Sequence, residues 1–110
     1  MAFHVFIPEP VQKDIDKLDK SEQARVEKIL KQLHERGGEV GKPLAGLSFL
    51  REKKFNGKRL YYLVYSQWSA VLVAAISDKK AQQATINRLI IESSQNQMYV
   101  FDLLRKRGVI

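Results

Sequence analysis

The chain contains no cysteine, which excludes disulfides and thiolate metal sites from its chemistry. Histidine is almost as scarce. The two present, His4 and His34, have no partner at metal-ligand spacing, so no metal or other cofactor is expected. His4 reads as a strand or core residue, and His34 as a side chain near a helix C-terminus, where the helix dipole favours it. Long apolar runs are missing too. Residues 70–76 form a short run near the centre of the chain, and a bilayer needs about 20. The N-terminus lacks the charged and small-residue pattern of a secretory signal. A cytoplasmic protein with no membrane partner is expected. No repeat, low-complexity segment or linker divides the 110 residues, which are expected to form a single domain. Their hydrophobic content of 45% argues against disorder.

Acidic residues are short in only one part of the chain. Residues 1–40 hold seven Lys and Arg against eight Asp and Glu, a net of −1. Residues 41–110 hold twelve against four, a net of +8. A basic half of this kind favours a polyanionic partner, either nucleic acid or an acidic protein segment. The charge is densest at 51–59, where Arg51, Lys53, Lys54, Lys58 and Arg59 stand against Glu52 alone.

That dense stretch is also a hairpin signal. Asn56-Gly57 sits between two β-rich runs and tolerates the positive φ of a tight turn. A third run follows the polar break 66–69. Strands are expected at about 48–55, 58–66 and 70–77, joined as an antiparallel meander. Upstream, alternation at 2–7 predicts a first strand, stopped by Pro8 and Pro10. Pro10 suits the first residue of a helix bearing Val11, Ile15 and Leu18 on one face. Asp19 and Glu22 stand at capping-box spacing before a second helix with Val26, Ile29, Leu30 and Leu33 as its stripe, ended by Gly37-Gly38. Residues 39–47 read as a loop. After the meander Asp78 can cap a helix with Ala81, Ile86, Leu89 and Ile90 inward. The polar run 93–97 is expected to break it before a last helix at about 98–107, with Met98, Phe101 and Leu104 inward. The fold class is therefore α+β. The order is β-α-α-β-β-β-α, with a mainly antiparallel four-stranded sheet, a helical hairpin on one face and a C-terminal helical extension.

Three motifs stand along this order: Lys42-Pro43-Leu44-x-Gly46-Leu47, Asn56-Gly57-Lys58-Arg59-x-x-Tyr62 and Lys79-Lys80-x-Gln82. On these residues the chain resembles the RelE/ParE superfamily of type II toxin–antitoxin toxins, and within it the RelE/HigB-like, phage-derived Gp49-type branch. The resemblance covers about residues 2–90 and leaves 91–110 as an extension. It implies a basic concave groove on the sheet face opposite the helical hairpin. It also implies a ribosome-dependent, metal-independent mRNA endoribonuclease that inhibits translation, with mRNA on the ribosome and a cognate antitoxin as partners. Two alternatives stay open: a ParE-like gyrase inhibitor, and a non-toxic RNA- or protein-binding module. Oligomeric state is not legible beyond the toxin–antitoxin complex.

The chemistry such a nuclease requires is an acceptor for the 2′-hydroxyl proton, cations on the phosphate and a donor to the leaving oxygen. Arg59 heads the catalytic candidates, because its planar fork suits phosphate oxygens. It is expected to be replaceable by alanine without loss of fold. Lys53 and Lys54 point to opposite faces of their strand, so only one shares a face with Arg59. Arg51 goes with Lys53. Tyr61 shares a strand face with Arg59 and is a candidate to stack on a base, or to accept a proton if nearby cations lower its pKa. Tyr62 then belongs to the core. Lys58, Lys79, Lys80 and Gln82 are candidate RNA or antitoxin contacts. Where many RelE-like enzymes carry tyrosine or histidine after the last strand, this chain has Ser77, Asp78 and Lys79.

Overall fold

The computed structural model describes residues 2–44 and 46–110. Its elements begin close to where the sequence changes period. β1 (His4–Phe6) is followed by α1 (Glu9–Asp16) and α2 (Lys20–Arg36). β2 (Lys42–Leu44), β3 (Leu47–Phe55), β4 (Lys58–Tyr65) and β5 (Ala70–Asp78) come next, then α3 (Gln82–Ile91) and α4 (Ser93–Lys106). Pro10 lies in the first turn of α1, after Glu9, where its missing N–H is an orphan position. The capping box at α2 forms as expected: the Asp19 side chain accepts from the Glu22 amide at 2.7 Å, and the Glu22 side chain accepts from the Asp19 amide at 3.2 Å.

The sheet has five strands rather than four, in the order β1-β5-β4-β3-β2. The additional one is β2, from the stretch read as a loop. It pairs antiparallel with β3, with Lys42 opposite Glu52 and an irregularity at Pro43/Leu44. Proline cannot donate to a ladder, so this strand is confined to the sheet edge. Ala45, within the same motif, lies outside the described residues. At the other edge β1 runs parallel to β5, and the other pairs among the described residues are antiparallel.

Both faces of the sheet are covered. α1 and α2 place Val11, Ile15, Val26, Ile29 and Leu33 on Leu60, Tyr62, Val64, Val71 and Val73. α3 and α4 place Ile86, Leu89, Val100 and Leu104 on Leu50, Tyr61, Leu63, Leu72 and Ala75. The face expected to be an open groove is thus largely closed by the C-terminal helices. β4 shows why: Leu60 to Tyr65 are all buried, and a strand apolar on both faces needs two covers.

The helix stripes shift by a residue or two from those expected. In α2 Val26, Ile29 and Leu33 are buried while Leu30 sits at the flank. Leu72 lies on the far face from α2. In α3 Ile86 and Leu89 are buried, but Ala81 and Ile90 are exposed. The break before α4 is at Glu92, and the polar run 93–97 is helical. In α4 Val100 and Leu104 are buried, whereas Met98 is 68% exposed and Phe101 38%. Phe101 instead leans on Trp68, with ring centroids 5.7 Å apart. The Arg107 guanidinium lies 4.6 Å from the Phe6 ring centroid and fastens the end of α4 over β1.

Leu33→Ala should cost about 2–5 kcal/mol, as expected for a fully buried leucine. Leu30→Ala, at the edge of the same stripe, should cost about 1 kcal/mol. Denaturant unfolding of the two variants checks the order, and a larger loss for Leu30 would contradict this register.

Candidate functional site

Asn56 and Gly57 turn β3 into β4 with φ of 45° and 77°, as a tight primed turn requires. That turn sets the register, and the register chooses between the two lysines. Lys54 is paired with Arg59, Glu52 with Tyr61 and Leu50 with Leu63. Directly opposed residues share a face. Lys54 therefore stands on the Arg59 face, while Lys53 and Arg51 belong to the α1–α2 face. β2 adds Lys42 opposite Glu52, and β5 adds Ser77 opposite Arg59. Gln82 reaches in from the first turn of α3. A polar cluster therefore occupies one end of the α3–α4 face, past the apolar cover.

Glu52 is its centre. The residue is 1% exposed. Its Oε1 accepts from Gln82 Nε2 at 2.9 Å and lies 3.2 Å from Arg59 Nε. The arginine contact is an ion pair out of hydrogen-bonding line, and Arg59 Nε–H has no partner among the described residues. Glu52 Oε2 also accepts no hydrogen bond there, and Lys42 Nζ stands 3.9 Å from it. A buried charge is tolerated only when compensated, so Glu52 and Arg59 hold each other in place. The Arg59 side chain is 8% exposed, and its Nη1 donates a long bond of 3.4 Å to the Gly57 carbonyl. Arg59 is therefore not the free phosphate fork the sequence suggested. The cations that reach solvent are Lys42, 62% exposed, and Lys54. With Lys53, Glu39 and Glu52 they line an open cleft of about 490 Å³.

The remaining candidates disperse. Arg51 donates through Nε to the Val40 carbonyl and through Nη2 to the Gly41 carbonyl, both at 3.0 Å, so it pins the chain leading into β2. Gly41 has φ of 69°, and a Cβ there would lie 2.3 Å from the Glu52 carbonyl oxygen and the Tyr62 hydroxyl. Only glycine fits that approach. Lys58 forms an ion pair with Glu22 of α2, on the far face. Lys79 and Lys80 are exposed in the turn before α3, where the Asp78 side chain accepts from the Ala81 amide at 2.8 Å. Tyr61 is fully buried and shares a 2.7 Å hydrogen bond with Ser77. It offers no ring face to a base. Burial raises its pKa, the opposite of what a tyrosinate acceptor needs. Tyr62 belongs to the core as expected, and its hydroxyl donates to the Val40 carbonyl.

Sequence reading passed over Glu52 and Lys42. Glu52 was visible as the lone acid among five cations in 51–59. Lys42 stood in a recognised motif, but its place in the cleft depends on a three-residue edge strand that periodicity cannot show.

Known proteins can now be set beside this geometry. No protein-family model matches the chain, and no curated protein matches it in sequence. Solved structures do match. A double arginine-to-alanine variant of the Escherichia coli toxin RelE in the free state superposes with a TM-score of 0.65 at 20% identity, over 81% of this chain and 99% of that one. The fold is that of the RelE toxins. The intact E. coli RelBE toxin–antitoxin complex gives a TM-score of 0.61 at 25% identity, over 70% of this chain and 96% of that one. The toxin–antitoxin complex RelBE2 of Mycobacterium tuberculosis gives 0.59 at 21%, over 72% and 100%. The RelE chain is thus spanned almost whole.

The buried tyrosines of this fold make stability pH-dependent. Burial pushes the hydroxyls of Tyr62 and Tyr65 up to about 12. The folded chain then keeps protons that the unfolded chain, with tyrosines near 10, releases. Stability should be full below about pH 10 and fall as pH rises towards 12, by about 3 kcal/mol for each of the two. Tyrosinate absorbance should rise for them only together with the loss of circular dichroism. Their ionisation in a chain that stays folded near pH 10 would contradict the burial.

Proposed function

We propose that the chain is the toxin of a type II toxin–antitoxin pair, a cytoplasmic, metal-independent endoribonuclease that cuts mRNA on the ribosome. The observation that carries this reading is the meeting of Lys42 and Arg59 at the carboxylate of Glu52, with the exposed Lys54 on the same strand face, on a RelE fold.

In the proposed reaction the 2′-oxygen forms a bond to the adjacent phosphorus and the bond to the 5′-oxygen breaks. Solvent takes the proton of the 2′-hydroxyl, and an exposed lysine ammonium or water gives one to the departing 5′-oxygen, so the products are a 2′,3′-cyclic phosphate and a free 5′-hydroxyl. Lys42 and Lys54, the exposed cations, meet the phosphate oxygens. Arg59, paired with Glu52 behind them, fixes the strand ends from which they project. Lys79 and Lys80 extend the basic surface for RNA or for antitoxin carboxylates. An acidic or amphipathic antitoxin segment would neutralise the toxin by covering the cleft, through charge-assisted contacts whose affinity falls as salt rises.

The test is induced expression in growing bacteria together with translation in a purified system. Growth arrest and loss of translation, relieved by the partner encoded beside this gene, are expected. Normal growth and translation at high expression of the folded chain would overturn the reading.

A further inference from the structure

The opposite end of the α3–α4 face carries a second concavity, away from the cleft. It has a volume of about 280 Å³, and Phe49, Tyr65, Gln67, Ser93, Ser94 and Gln97 line it. None of these side chains is charged. The pocket lies against the first turn of α4, whose amides have no side-chain cap. Tyr65 forms part of the wall of this pocket. It is 7% exposed, and among the described residues no group hydrogen-bonds its hydroxyl; burial alone raises its pKa. Its ring is fixed against Trp68, with centroids 5.6 Å apart, and Trp68 in turn rests on Phe101. The hydroxyl is therefore held in place where it opens on the pocket.

We propose that this pocket takes one unstacked nucleobase of a single-stranded RNA, an inference that rests on the reading above for the identity of its occupant. A neutral lining suits a base better than a phosphate. Phe49 is half-buried and offers a ring on which a base can stack. The amides of Gln67 and Gln97 each present a donor beside an acceptor, matching the edges of bases. The Tyr65 hydroxyl can then bond a base edge in place of water. The volume is below the range of drug-sized sites and suits one ring system. Tyr65 lies six positions along β4 from Arg59, about 20 Å at strand rise. A base bound there belongs to a nucleotide at a distance from the bond being cut, so the pocket would read sequence context.

Nuclear magnetic resonance titration of the full chain with each of the four ribonucleosides tests this, with ribose 5-phosphate as the anion control. At least one nucleoside should shift the signals of Gln67, Ser94 and Gln97. Tyr65→Phe, which keeps the ring and removes the hydroxyl, should weaken that binding about tenfold, and Gln97→Leu by a similar factor. The proposal is overturned if no nucleoside moves these signals at saturating concentration. It is equally overturned if ribose 5-phosphate moves them as strongly, which would make the pocket a helix-terminal anion site. The titration uses no ribosome, so its outcome separates from that of the nuclease reading. Nucleoside binding without mRNA cleavage would remove the nuclease alone, and cleavage without nucleoside binding would remove this pocket alone.

Discussion

Arg59→Ala should unfold much of the protein's stability margin, at a cost of about 3–5 kcal/mol. The arginine and Glu52 are both buried, with Nε and Oε1 3.2 Å apart. Removing the cation leaves a carboxylate at 1% exposure facing only Gln82 and a distant Lys42. Whole-domain stability is about 5–15 kcal/mol, so the variant should be markedly weakened. The sequence-based expectation that Arg59→Ala would keep the fold is therefore withdrawn, and that variant alone says little about activity. A double change, Arg59→Met with Glu52→Leu, removes both charges and should recover most of the loss. Denaturant unfolding followed by circular dichroism checks both. A single variant as stable as the parent would show that the pair is not held as described.

Lys54→Ala should lower mRNA cleavage about 10²-fold while leaving the fold intact. Its side chain is exposed and stands on the Arg59 face, opposite that residue in the register. Losing one positioned cation at a developing phosphate charge costs about 10²–10³-fold, and screening by water puts an exposed lysine at the low end. Lys54→Arg should keep most of the rate, since the charge stays. Lys31→Ala, an exposed lysine of α2 outside the cleft, is the control, with a change below about threefold. Cleavage of a ribosome-bound message, with unfolding curves for each variant, gives the comparison. Equal losses at 31 and 54 would mean that net charge and not the position of Lys54 sets the rate.

Much of this was legible in the residues. The capping box at Asp19 and Glu22, the Asn56-Gly57 turn and the three long strands follow from local chemistry that tertiary context did not override. What was lost depended on distance. β2 is three residues long and carries a proline, so it has no period to detect, yet it brings Lys42 to the cleft. The second cover of the sheet was foreshadowed by Leu60 to Tyr65, a run apolar on both faces, which a groove-lined strand could not afford. In α4 Leu104 is inward as its position suggests, but the helix begins earlier, at Ser93, and Val100 rather than Met98 or Phe101 joins it in the core. Within the site, Arg59 was chosen for its fork geometry. Whether that fork is free depends on Glu52 seven positions away, and only the register reveals that the two meet.

The most direct test of the account is to map the 5′ ends of cellular messages after brief induction, on a translated transcript and on the same transcript with its start codon removed. The account predicts new ends with free 5′-hydroxyls inside the translated reading frame, absent from the untranslated copy and reduced about 10²-fold by Lys54→Ala. Growth arrest with intact messages would contradict it, and would turn the basic cleft from a nuclease site into a binding surface.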